Sequence, residues 1–146
     1  MSEQSALEEL MGLFDLETID ADLYRGRPVR TTRTRVFGGQ VAAQALCAGI
    51  RTVDPAYTVH SMHSYFLLPG DPQVPIVYDV ERIRDGRSFL TRRVAARQHG
   101  RPIYYLTANF QVPEDGLEHQ DAMPEVVAPE DAVDMVEMMR RGGTPE

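Results

Sequence analysis

Apolar residues at Leu7, Leu10, Met11 and Phe14 recur at helical spacing through SALEELMGLF, which predicts a short amphipathic helix over about 5–14 with Ser5 as its cap. From Leu16 to Pro28 the apolar positions Leu16, Ile19 and Leu23 mix with acids and the run closes on Gly26 and Pro28, the pattern of one edge strand. Residues 29–35, VRTTRTR, form a polar, arginine-rich loop. The next stretch, RVFGGQVAAQALCAG, places two glycines before an alanine-rich run and predicts a helix over about 39–53. No charged residue lies between Val36 and Ile50, so this helix has no face suited to water.

From Thr58 the period changes to that of strands. TVHSMHSYFLL (58–68) ends at Pro69-Gly70-Asp71-Pro72, and VPIVYDVERI (74–83) ends at Asp85-Gly86. SFLTRRVAARQ (88–98) ends at His99-Gly100 and is followed by PIYYLTANFQV (102–112). The last three segments predict an antiparallel meander, because Asp-Gly and His-Gly supply the residues that tight hairpins favour. An uncharged helix followed by strands of this length implies an α+β fold in which the sheet curls around the helix and buries it. After Pro113 the chain reads as a linker. Within it, PEDAVDMVEMMRRGG predicts a helix over about 129–141, with Pro129 and the acids Glu130 and Asp131 at its start, Arg140 and Arg141 at its end, and Gly142-Gly143 as the stop. The expected organisation is one domain over 1–112 and an acidic tail over 113–146.

Charge supports that division. Residues 113–146 hold 10 acids against 2 arginines, a balance of −8, whereas residues 1–112 hold 12 acids against 13 arginines, a balance of +1. A nearly neutral body with scattered arginines has no basic stripe of the kind that binds nucleic acid. No apolar run approaches the ~20 residues of a membrane span, and the start MSEQSALEEL lacks the basic and apolar regions of a signal peptide, so a cytoplasmic protein is expected. The single cysteine, Cys47, excludes an internal disulfide and has no partner for a zinc site. It reads as a small buried hydrophobe, and no metal or redox cofactor is expected.

The chemistry that remains is thinly spread. Gly38-Gly39-Gln40 at a helix start either offers free backbone N–H groups to a phosphate or a thioester carbonyl, or lets the backbone turn and pack closely. His60 and His63, three apart on one strand, are expected on opposite faces of the sheet, which argues against joint metal ligation and leaves one of them to face a cleft. Asn109 and Gln111 share a face of the last strand, either as core-edge polar residues or to orient a water molecule. Arg82, Arg84, Arg87, Arg92, Arg93 and Arg97 cluster around the Asp85-Gly86 turn, as a solvated sheet face or as contacts for the phosphates of a nucleotide such as coenzyme A. No clear nucleophile–base pair or carboxylate dyad is visible.

Several motifs in one order, RVFGGQVAAQAL, VHSMHSYFLLPGD, IVYDVERIRDGRSF, TRRVAARQHGRPIYYLTANFQ and EHQDAMP, closely resemble the N-terminal half of the bacterial acyl-CoA thioesterase II family, over about residues 7–125. The resemblance implies the hotdog fold, a long antiparallel sheet wrapped around a central helix. It also implies hydrolysis of fatty acyl-CoA to free acid and coenzyme A by an activated water, without a metal. The family usually fuses two hotdog repeats and carries its catalytic Asp, Thr and Gln in the second. By analogy between repeats, the Gln position is similar to Gln111, the Thr position falls near His63, and the Asp position falls near Cys47 or Ala48, where there is no acid. Three expectations follow: a thioesterase half lacking the main catalytic residues, a self-sufficient homodimer, and a non-catalytic acyl-CoA-binding or assembly module. The candidate catalytic residues are His63 and Gln111, and the candidate substrate-binding residues are Gly38, Gly39, Gln40, His60, Tyr65 and Asn109. Acyl-CoA and a second hotdog domain, in a homodimer or a fused pair, are the expected partners.

Overall fold

A computed structural model describes residues 3–28 and 31–142. The loop residues Val29 and Arg30 and the stop residue Gly143 lie outside the described residues. The chain divides into two compact units, one up to Glu114 and one from Asp115.

In the first unit the elements run α1 (Glu3–Phe14), β1 (Glu17–Asp20), β2 (Leu23–Gly26), α2 (Gly38–Ile50), β3 (Thr58–Phe66), β4 (Ile76–Asp85), β5 (Phe89–Gln98) and β6 (Arg101–Gln111). The six strands form one antiparallel sheet in the order β1-β2-β4-β5-β6-β3, and α2 lies against β2, β3, β4, β5 and β6. This is the hotdog arrangement. Alternation along β5 and β6 defines the two faces: Leu90, Val94, Ala96, Leu106, Ala108 and Phe110 are buried on the inner face, beneath α2, while Arg93, Tyr105 and their neighbours point outward. Val41, Ala45 and Ala48 of α2 pack into a core with Tyr78, Val94, Ala96, Tyr104 and Leu106. The absence of charge in the sequence of α2 is thus the consequence of burial on most of its circumference.

Three elements of this unit differ from the sequence reading. α1 begins at Glu3, so Ser5 sits inside the first turn and does not cap it. The single edge strand expected over 16–28 is instead a hairpin, since Asp22 adopts a left-handed φ of 58° that turns the chain, and Asp20 Oδ1 accepts from Ala21 N–H at 2.7 Å. α2 ends at Ile50 rather than near Val53, because the Thr52 hydroxyl donates to the Gly49 carbonyl at 2.8 Å and competes with helical continuation. The turn at His99-Gly100 matches expectation: both residues have positive φ, 49° and 73°, as a two-residue hairpin of this type requires.

Two buried polar side chains tie the helix to its surroundings. Gln44, fully buried on α2, donates from Nε2 to the Leu13 carbonyl at 2.6 Å and accepts from the Tyr78 hydroxyl at 2.7 Å. Arg92 is 1 % exposed on the inner face of β5. It donates to the Thr52 hydroxyl (2.8 Å), the Thr52 carbonyl (3.1 Å), the Arg84 carbonyl (3.0 Å) and Asp85 Oδ1 (2.5 Å), satisfying acceptors just past the end of α2.

In the second unit a 3₁₀ turn (Pro129–Asp131) precedes α3 (Met135–Arg140). The single helix expected over 129–141 is broken because Asp134 takes an extended conformation and caps α3, accepting from Val136 N–H at 2.7 Å and Glu137 N–H at 3.0 Å. Val133, Met135, Val136 and Met139 are exposed.

Candidate functional site

The start of α2 is chemically open. Its N-cap residue is Phe37, which makes no side-chain cap, and the first turn carries no acid. Gln40 N–H donates back to the Phe37 carbonyl at 3.0 Å, while no hydrogen bond among the described residues uses the N–H of Gly38 or Gly39. A Cβ at Gly38 would lie 3.0 Å from the Phe66 ring and one at Gly39 2.5 Å from the Phe37 ring, in each case the far end of an exposed side chain that can swing away. The contacts favour glycine without requiring it, and the unpartnered donors belong to the helix start.

Two hollows flank this point and share Arg35 and Val36. One, of about 520 Å³, reaches Gly39 and Gln40. The other, of about 290 Å³, reaches Gly38 and is walled by Val41, Phe66, Leu67, Leu68, Ile103 and Tyr104. The Tyr104 hydroxyl is the one buried side-chain polar atom among the described residues that has no hydrogen-bond partner. Cys47 on α2 is partly buried and burial pushes its thiol above the ordinary value, with Arg51 opposing, so the thiolate needed for nucleophilic attack is disfavoured.

The other candidates lie across the sheet. Gln111 pairs with Thr58, Asn109 with Ser61, Thr107 with His63, and Tyr105 with Tyr65, which puts Gln111, Asn109, His63 and Tyr65 on the outer face. His60 joins them, with its ring 5.9 Å from that of Phe89, which pairs with Gln111. The expectation of opposite faces for His60 and His63 is corrected by a bulge between Val59 and Ser61, which inserts a residue and shifts the alternation. His63 and Tyr65 rings lie 5.0 Å apart, and Asn109 Oδ1 accepts from the Thr91 hydroxyl at 2.7 Å. His63 and Gln111 are not brought together: Thr107, the partner of His63, is four residues from Gln111 along β6, roughly 13 Å of strand. Gly38, Gly39 and Gln40 are on the other side of the sheet from both.

The arginine cluster resolves into ion pairs. Arg82 makes two hydrogen bonds to Asp22 at 2.8 and 2.9 Å, Arg93 pairs with Glu81, Arg97 lies 4.0 Å from Asp79, and Arg92 is the buried residue described above. Only Arg84 and Arg87 of the six have no acidic partner among the described residues. A solvated, cross-paired sheet face fits this geometry better than a phosphate site. Missing from the sequence reading were Gln44, Thr58 and the Tyr104 hydroxyl. Nothing in the sequence marks Gln44 or Tyr104 as buried, and the register that sets Thr58 opposite Gln111 passes through the bulge after Val59, which the sequence pattern does not show.

No group of three or more His, Cys, Asp and Glu side chains able to hold a metal ion occurs among the described residues, and no described helix is long and apolar enough to cross a membrane. Residues 27–111 match the model of the family described as acyl-CoA thioesterase N-terminal domain. The chain belongs to this family. It is 48% identical over 135 residues to acyl-CoA thioesterase 2 of Haemophilus influenzae, a match covering 92% of this chain and 47% of that protein. Among solved structures, acyl-CoA thioesterase II TesB2 from Mycobacterium marinum shares 49% identity with a TM-score of 0.75, over 83% of this chain and 45% of that one. A hot dog fold protein from Alicyclobacillus acidocaldarius, at 23% identity and a TM-score of 0.73 over 84% of this chain and 47% of that one, agrees in fold. This family member thus spans about half the length of the relatives it matches.

Proposed function

We propose that this domain binds fatty acyl-CoA and takes part in its hydrolysis to free acid and coenzyme A as one half of a hotdog pair, the other half activating the water. The observation that carries this reading is α2 itself, an uncapped helix start set between two apolar hollows, on a helix without one acidic residue. A thioester oxygen gains negative charge as water attacks, and the unpartnered N–H groups of Gly38 and Gly39 suit that charge. Removing a proton from the water requires a base. α2 supplies none, and Cys47 is a poor substitute because its thiol is held protonated.

The pairing follows from β3. It ends the sheet, and Val59, Met62, Tyr65 and Phe66 along it are exposed, together with Leu67 and Leu68 just beyond. A strand from a second hotdog, in another copy or in a following domain, would satisfy that edge and cover those side chains. The isolated chain is expected to form a homodimer.

The binding half of the proposal is tested with a thioether analogue of palmitoyl-CoA, which water cannot cleave. Saturable binding by a protein that sediments as a dimer is expected at micromolar concentration. A folded dimer that does not retain the analogue contradicts the reading.

A further inference from the structure

We propose that α3 is a binding site for a soft monovalent cation, Cu(I), held by the thioether sulfurs of Met135, Met138 and Met139. The three residues stand at positions i, i+3 and i+4 of one helix, so at 3.6 residues per turn they share an arc of about 100°. Met135 and Met139 are exposed and Met138 is partly buried. Methionine side chains are unbranched and adaptable, so sulfurs that start from neighbouring positions on one face can converge on a single ion.

The turn that presents the sulfurs is held by its own polar groups. Asp134 caps it through Val136 N–H and Glu137 N–H, Met138 N–H donates to the Asp134 carbonyl at 2.9 Å, and Glu137 pairs with Arg141 one turn on, away from the methionine face. The choice of ion follows from the donors. A thioether is a neutral, polarisable ligand that suits Cu(I), whereas α3 carries no His or Cys for Zn²⁺ and its acid Glu137 is already engaged by Arg141. The surroundings favour a cation, since residues 115–142 hold 8 acids against 2 arginines, a balance of −6. A face that served only to cover apolar surface would be filled equally well by leucine, which has no sulfur to offer. The site lies wholly in the second unit, so it is independent of acyl-CoA binding by the first.

Silver nitrate in chloride-free buffer supplies Ag(I), an air-stable probe of the same soft class. It is titrated into the whole chain carrying Cys47→Ala, which removes the one thiol that would compete for silver, with the methionine methyl groups labelled for NMR. The methyl signals of Met135, Met138 and Met139 are expected to shift together and to saturate at one ion per chain, while those of Met11 and Met62 stay in place. Met135→Leu/Met138→Leu/Met139→Leu, which keeps the apolar face and the helix propensity, is expected to weaken silver binding about tenfold or more by calorimetry. Met11→Leu/Met62→Leu is expected to leave it unchanged, and Zn²⁺ to leave the three methyl signals unmoved. The inference is overturned if silver does not shift those three signals, if Zn²⁺ shifts them as silver does, or if the triple leucine variant, folded by circular dichroism, binds silver like the parent.

Discussion

Gln111 on β6 faces Thr58 on β3, whose hydroxyl lies 3.4 Å from the Gln111 carbonyl, while His63 faces Thr107 further along the strand. This pairing makes Thr58 the neighbour of Gln111 at the end of β3. If one copy's outer face meets a partner there, Thr58→Ala and Gln111→Ala should change acyl-CoA binding or pairing together, and His63→Ala should act separately. A double-mutant cycle on the affinity for the thioether analogue checks this: coupling between Thr58 and Gln111 is expected, and additive behaviour for His63 with Gln111.

The exposed edge gives a prediction on assembly. Met62→Lys puts a charge on a half-exposed apolar position of β3, the end strand to which an added strand would pair. The dissociation constant of the pair should rise about tenfold or more, equivalent to ~1.4 kcal/mol, with the far-ultraviolet spectrum unchanged. Sedimentation at a series of concentrations measures it. An unaltered dimer would mean that β3 is not the pairing edge.

Gln44 should matter more to stability than its type suggests. Gln44→Leu leaves the Tyr78 hydroxyl and the Leu13 carbonyl without their partner in a buried site, which costs about 1–3 kcal/mol. Adding Tyr78→Phe should recover part of the loss by removing the stranded hydroxyl, as read from urea midpoints. Burial already pushes the Tyr78 hydroxyl far above its usual range, and Tyr104 and Cys47 push it further, so ionisation offers no escape.

Acid should loosen the turn at Asp22. The Arg82 fork on Asp22 holds its carboxyl below the ordinary value of 3.8, against a smaller opposing effect of burial, with the charges of Arg82 and Arg92 helping. A carboxylate depressed in the folded state contributes stability that is present above its unfolded value and is lost as pH falls through the folded one. The pair is partly solvated, so the effect is small, at most ~1 kcal/mol. The urea midpoint of the parent should therefore approach that of Asp22→Asn as pH drops from about 6 to below 4. Asparagine tolerates the left-handed conformation there, which keeps the comparison clean.

Much of the fold was legible because its signals were local. The uncharged run at 36–50 foretold a surrounded helix, and His99-Gly100 foretold a hairpin that positive φ at both residues realises. What failed to show in the sequence depends on tertiary placement. The bulge after Val59 puts His60 on the same face as His63 instead of the opposite one, a one-residue event that period counting cannot register. Arg92 and Gln44 are polar types that composition sends to the surface, yet the open end of α2 and the Leu13 carbonyl draw them inside. At the site, the glycine pair and Gln111 were visible as residues, but the sheet standing between them was not.

The central claim, that this half binds acyl-CoA and leaves the activation of water to its partner half, is met most directly by following release of coenzyme A from palmitoyl-CoA with the purified chain. Release no faster than the protein-free rate is predicted, at concentrations where the thioether analogue saturates the protein. Turnover that scales with protein and disappears in Gln111→Ala would contradict it.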